Sequence, residues 1–125
     1  MSDTPCFTCT VTTRYLPEQS SPAESRYAFA YTVTVVNAGG VLAQLVARRW
    51  LIDDASGRTE EVRGLAVVGH QPLLRPGEAF EYTSWVELAA PRGHMEGTFF
   101  CMTEDAHLFE AAVPRFELTQ PQALH

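Results

Sequence analysis

No stretch of this chain carries the 3.6-residue spacing of an amphipathic helix. What recurs is a short alternating or apolar run ended by glycine, proline, asparagine or aspartate. Such a chain must bury one face of many short strands, so the expected class is all-β. Phe7, Cys9, Val11 and Thr13 alternate with Thr8, Thr10 and Thr12, giving a first strand with one apolar face. Phe29, Tyr31, Val33 and Val35 then alternate with Ala28, Ala30, Thr32 and Thr34, and the run stops at Asn37 to Gly40, read as a strand followed by a hairpin turn. A third strand over Ala43 to Ile52 carries apolar residues on both parities, together with Arg48 and Arg49, which calls for burial on both faces or for a bulge.

Asp53 to Gly57 supplies turn chemistry leading into a short polar strand, Arg58 to Arg63. In Arg75-Pro-Gly-Glu78 the proline presets φ and the glycine accepts the positive φ of a type II turn. A strand must follow, and Phe80, Tyr82, Ser84, Val86 and Leu88 alternate with Glu81, Thr83, Trp85 and Glu87. Gly97 to Thr103 and Leu108 to Leu118 complete the set, the last interrupted by Pro114 and so an edge or bulged strand. Seven or eight strands in 125 residues predict an antiparallel β-sandwich of immunoglobulin or fibronectin type III-like topology. One domain spans residues 1–125, with an ordered core at about 6–119 and frayed ends at Met1 to Pro5 and Pro121 to His125.

Charge narrows the partners. The formal net charge is -6, and an acidic surface repels a phosphate backbone, so sequence-independent nucleic-acid binding is not expected. Apolar runs such as Val33 to Val36 are too short to span a bilayer, and the N-terminus lacks the basic and apolar segments of a signal peptide. The expected location is cytoplasmic.

Candidate chemistry is sparse. Cys6 and Cys9, three residues apart in an extended strand, are separated by roughly 10 Å and point to opposite faces, so neither a disulfide nor a shared metal is expected there. Cys9 and Cys101 read as small core residues. His70, His94, His107 and His125 fall in separate predicted loops or the tail, without metal-ligand spacing, although loops meeting at one end could join His70 and His94. Ser84 is not in a nucleophile elbow, and no metal, cofactor or catalytic constellation is called for.

Gly64-Leu-Ala-Val-Val-Gly69 has the glycine spacing of a phosphate-cradling loop. A P-loop would need Lys-Ser/Thr after the last glycine, where His70-Gln-Pro72 stands. A dinucleotide fingerprint would need a middle glycine and a helix. What survives is a small-anion site on backbone amides beside Arg63, Gly64, Gly69, His70 and Gln71, with Arg75 or Arg92 nearby. The competing reading is that Leu65 to Val68 is a short buried segment and the glycines allow a tight crossing between sheets.

The linked motifs Asp53 to Gly57, Glu61 to Gly64, Val67 to Pro72, Leu74 to Glu78, Phe80 to Ser84 and Met95 to Gly97 resemble the ApaG family over about residues 6–119. The resemblance implies a fibronectin type III-like sandwich, links to cobalt tolerance and magnesium efflux, and a gene often next to a diadenosine tetraphosphatase. It also implies use as an interaction module in eukaryotic F-box and polymerase-associated proteins. The family pattern often reads G-x-G-V-V-G, where this chain has Ala66, and relatives often carry glycine at the position of Trp85 and histidine at that of Arg49. By alternation Trp85 points outward between Glu81 and Glu87, where an indole can anchor a partner. The expected function is a non-catalytic module binding a protein partner through an exposed strand edge or loop end. The alternative is a binder of pyrophosphate or a nucleotide using Arg63 to Gln71.

Overall fold

The computed structural model describes residues 4–121. The expected frayed ends fall mostly on residues 1–3 and 122–125, and these, with His125, lie outside the described residues. Eight strands form two antiparallel sheets. β1 (Phe7–Tyr15), β2 (Tyr27–Asn37) and β6 (Ala79–Leu88) build one, in the order β1-β2-β6. The other contains β3 (Ala43–Asp54), β4 (Thr59–Leu65), β7 (Arg92–Thr103) and β8 (Leu108–Thr119), in the order β4-β3-β7-β8. The two-residue β5 (Leu73–Leu74), absent from the sequence reading, pairs with β3 at Ala43 and Gln44. The sheets face each other as the alternation requires, and the expected antiparallel sandwich is what the chain forms.

The inward row of β2 is the one read from parity. Phe29, Tyr31, Val33 and Val35 of β2 meet Leu45 and Trp50 of β3, Phe99 of β7 and Val113 and Leu118 of β8, all buried. Each such side chain contributes about 1.5–3 kcal/mol by leaving water. Trp50 centres the aromatic packing, with ring centroids 5.5 Å from Tyr31, 5.9 Å from Phe99 and 6.0 Å from Phe116.

The mixed parity of β3 comes from a bulge. The register with β7 slips between Leu45 and Ala47, so odd residues point inward before it and Arg48, Trp50 and Ile52 point inward after it. Pro114 lies on the edge strand β8, where a second slip sets Glu96 against Pro114 and Arg115, and the Arg115 guanidinium reaches Glu96 at 2.9 Å. Both readings of Pro114, edge and bulge, hold together.

Two connections differ from expectation. Asn37 to Gly40 is not a hairpin turn, since β2 and β3 belong to different sheets and the chain crosses between them here. The buried Asn37 amide makes the crossing possible by donating to the carbonyls of Val41 and Leu74, each at 2.9 Å, while its oxygen accepts from Gly39 N-H at 2.9 Å. The second crossing is not at the Gly64 to Gly69 segment, because β4 and β5 share a sheet. It is at the Arg75 to Glu78 turn, where Gly77 sits at φ +86° and Glu78 N-H donates to Arg75 O at 2.9 Å. Asn37 also ties this turn down, its backbone exchanging bonds with Gly77 and Glu78. Between β1 and β2, two short 3-10 turns (Pro17–Gln19 and Pro22–Glu24) fold back over the start of β2 through the Ser20 hydroxyl, which donates to Leu16 O and accepts from Ala28 N-H, both at 2.8 Å.

Candidate functional site

The glycine-flanked loop is held by the chain itself. Val67 N-H donates to His70 O at 2.8 Å and His70 N-H returns to Val67 O at 2.9 Å, closing a two-residue turn whose central residues, Val68 at φ +48° and Gly69 at φ +80°, both lie in the left-handed region. This is the type I′ pattern, which explains a glycine at 69. Ala66 N-H is taken by Val46 O at 2.8 Å, and Ala66 sits at φ +67°, a position glycine occupies without strain. Gly64 faces the Arg48 guanidinium so closely that a Cβ would lie 2.7 Å from Nη1. That guanidinium donates to Leu65 O at 2.8 Å and to Ala66 O at 2.9 Å, clamping the loop from the inner side of the sandwich. Arg48, which the sequence did not single out, is thus the loop's main support, turned inward by the β3 bulge.

Several of the expected anion ligands already have partners within the chain. Arg63 lies on the outer face of β4, its Nε 2.6 Å from Glu61, which also accepts from Arg49 at 2.7 Å, and the two arginines hold the Glu61 carboxyl below the usual carboxylate range. His70 packs its ring 5.5 Å from Phe80. Gln71 donates to Val46 O at 3.0 Å and accepts at its carbonyl from Gln44. The amides of Ala66, Val67 and His70 are bonded to backbone carbonyls. Leu65 to Val68 is not a buried segment either: Val67 alone of the four is buried, and Leu65 and Val68 are exposed.

His94 lies within β7, not in a loop, where its Nε2 is 3.0 Å from Asp53. Asp53 sits at the end of β3 remote from Val46, to which the neighbouring Ala66 and Gln71 of the His70 loop are bonded, so no His70 and His94 pair forms. His107 stands in the turn between β7 and β8, 3.5 Å from Asp105. Asp54 caps the hairpin turn after β3, accepting from Ser56, Arg58 and, across to the end of β6, Ala89. Among the described residues no group of three or more His, Cys, Asp or Glu side chains could hold a metal ion. Cys6 is exposed, while Cys9 and Cys101 lie in the core. Burial pushes the Cys9 thiol up to about 11 and the Cys101 thiol up to about 12, which makes both poor nucleophiles.

What the fold leaves exposed is more telling. Trp85, 64% exposed, stands outward on β6 as its parity requires. With Arg14, Leu16, Glu18, Gln19, Thr83 and Glu87 it walls a groove of about 640 Å³ on the outer face of the three-stranded sheet. The floor is Ala30, directly paired with Arg14 on one side and Trp85 on the other, and its small side chain creates the depression. Leu65, Val68, Leu73 and Leu108, the last 81% exposed, gather at one end of the opposite sheet. They lie in and beside two cross-strand rows, Leu65-Ala47-Phe100 and Leu73-Gln44-Met102-Leu108. Sequence reading found Trp85 through its charged neighbours, but the leucines looked like ordinary strand residues until the register set them side by side.

No helix in the described residues is long and apolar enough to cross a membrane. The ApaG domain profile matches residues 17–103. Protein ApaG of Ralstonia nicotianae is 58% identical over 118 residues, covering 94% of this chain and 95% of that protein. Protein ApaG of Thiobacillus denitrificans is 54% identical over 115 residues, covering 92% and 91%. Among solved structures, that of an ApaA protein from Bordetella pertussis superposes with a TM-score of 0.92 at 48% identity, covering 98% of this chain and 99% of that one.

Proposed function

From the premise that this chain belongs to the ApaG family, we propose that it is a non-catalytic, fibronectin type III-like binding module whose ligand is another protein, acting in the cytoplasm. The observation that carries this reading is Trp85, a largely exposed indole set over a groove with a small-residue floor. Large aromatic side chains in such depressions are the residues that dominate protein interfaces. Effects on cobalt and magnesium homeostasis are then indirect and run through the partner. The test is affinity capture, identification of the partner, and calorimetry with the purified pair. Trp85→Ala lowers affinity at least tenfold, about 1.4 kcal/mol, without lowering the melting temperature; equal affinity removes Trp85 from the interface.

A small-anion role for the loop containing Arg63, Gly64, Gly69, His70 and Gln71 is the second reading. Its support is narrower: the turn bonds engage Val67 and His70 and leave the exposed Val68 and Gly69 outside them. Titration with pyrophosphate, followed by amide NMR, produces saturable shifts centred on residues 64–71 if it holds, and dispersed or absent shifts at millimolar ligand if it does not.

A further inference from the structure

We infer that the free edge of β6, from Glu81 to Leu88, receives an extended segment of the partner as an added antiparallel strand, with lysine or arginine on that segment's outward positions. This rests on the binding-module reading and names the edge and the chemistry.

Among the described residues the sandwich has four sheet edges, on β1, on β6, on β4 with the two-residue β5, and on β8. β1 and β8 close one side against each other, with Phe7 and Phe109 edge to face at 5.4 Å and the Gln120 amide 3.3 Å from the Tyr15 hydroxyl. β8 is further guarded by Pro114 and its bulge. β4 carries Glu60, Glu61 and Arg63 among its seven residues, a charge density that discourages pairing. β6 is the least guarded: ten residues with no proline, no lysine and an unbroken register to β2, its only charges the two carboxylates Glu81 and Glu87. Its start is shielded where His70 lies against Phe80. Beyond that, across a cleft of about 280 Å³, residues Ser84 to Glu87 face Glu60 and Val62 of β4. Every second residue of an edge strand turns its N-H and C=O away from the sheet, so β6 offers a ladder with no partner strand among the described residues.

The side chains along this edge specify the occupant. On the outer face stand Glu81, Thr83, Trp85 and Glu87. Glu81 accepts from Thr34 at 3.0 Å, and neither it nor Glu87 has a cationic partner among the described residues. An incoming strand places its outward side chains directly across from these, so basic residues meet the two carboxylates and an arginine can lie on the Trp85 ring. The alternate side chains of that strand point toward the cleft, whose apolar walls are Trp50, Val62 and Val86. The recognised segment therefore alternates basic and apolar residues, and backbone bonds supply affinity while the alternation supplies selectivity.

The experiment uses the full chain and three synthetic octapeptides: four Lys-Val repeats, four Glu-Val repeats, and the Lys-Val peptide N-methylated at alternate residues. Expected are saturable amide shifts and slowed hydrogen exchange at alternate residues from Thr83 to Leu88 with the Lys-Val peptide, and at least tenfold weaker binding of the other two. The doubly charge-reversed protein, Glu81→Lys with Glu87→Lys, reverses the preference between Lys-Val and Glu-Val peptides. Undiminished binding of the N-methylated peptide overturns strand addition, and unchanged preference in the reversed protein overturns the basic complement. Shifts confined to other surfaces, or no binding at millimolar peptide, overturn the edge. None of these touches the binding-module reading, which stands or falls on the captured partner and Trp85→Ala.

Discussion

Replacing Ala66 by glycine is expected to stabilise the protein, and the size of the gain tests why glycines recur in this loop. Ala66 is held at φ +67° by two bonds, its N-H to Val46 O at 2.8 Å and its carbonyl from the Arg48 guanidinium at 2.9 Å. A residue with a Cβ costs roughly 1–2 kcal/mol in the left-handed region. Glycine removes that cost but adds about 0.4–1 kcal/mol of unfolded-chain entropy. Ala66 is half-buried and its methyl is small, so the net gain is about 0.5–1 kcal/mol, which for a domain of this size raises Tm by about 2–4 °C. Urea unfolding followed by tryptophan fluorescence, with Trp50 buried as the reporter, measures it at constant m. An unchanged or lowered midpoint at the same m refutes the reasoning. If the glycine pattern existed to receive an anion instead, Ala66→Gly would raise pyrophosphate affinity and leave the midpoint where it was.

Other expectations follow from the same packing and electrostatics. Gly64→Ala pushes the Arg48 guanidinium off Leu65 O and Ala66 O at a cost of about 2 kcal/mol; in an Arg48→Met background the same change costs much less, which a double-mutant cycle in urea reads directly. The Tyr82 hydroxyl is buried without a hydrogen-bond partner in the described residues, so Tyr82→Phe is neutral or stabilising by up to about 1 kcal/mol, and a loss of that size would contradict it. The Thr59 hydroxyl, foremost, holds the Asp53 carboxyl below its ordinary value. Such a depressed carboxylate contributes stability above its unfolded pKa of about 4 and loses it as pH falls through the lower folded value. Thr59→Val is therefore destabilising in melts near pH 6, and the difference from wild type vanishes in acid below Asp53's folded pKa. With a thiol reagent at pH 8, Cys6 reacts in the native protein while Cys9 and Cys101 react only after denaturation; native labelling of all three would show a core that opens.

The sequence by itself determined which faces are inward. Strand parity depends only on the period-2 geometry of an extended chain, so Phe29 to Val35, Phe80 to Leu88 and the outward Trp85 were legible from alternation alone. The same local reasoning located the Pro-Gly turn and the disturbance in β3, because bulges and turns leave marks within a few residues. Tertiary structure alone decided what depends on residues distant in sequence. That Asn37 ends a strand at a crossing and not at a hairpin follows from its bonds to Val41 and, far along the chain, Leu74. That Gly64 makes room for a guanidinium follows from the Arg48 side chain seventeen positions before Leu65, whose carbonyl it holds. The two apolar rows, and the edge of β6 left open while β1 and β8 close the far side, follow from strand order. Alternation is a property of each segment alone, whereas register, edge and clamp are properties of pairs, and pairs exist only once the sheets have packed.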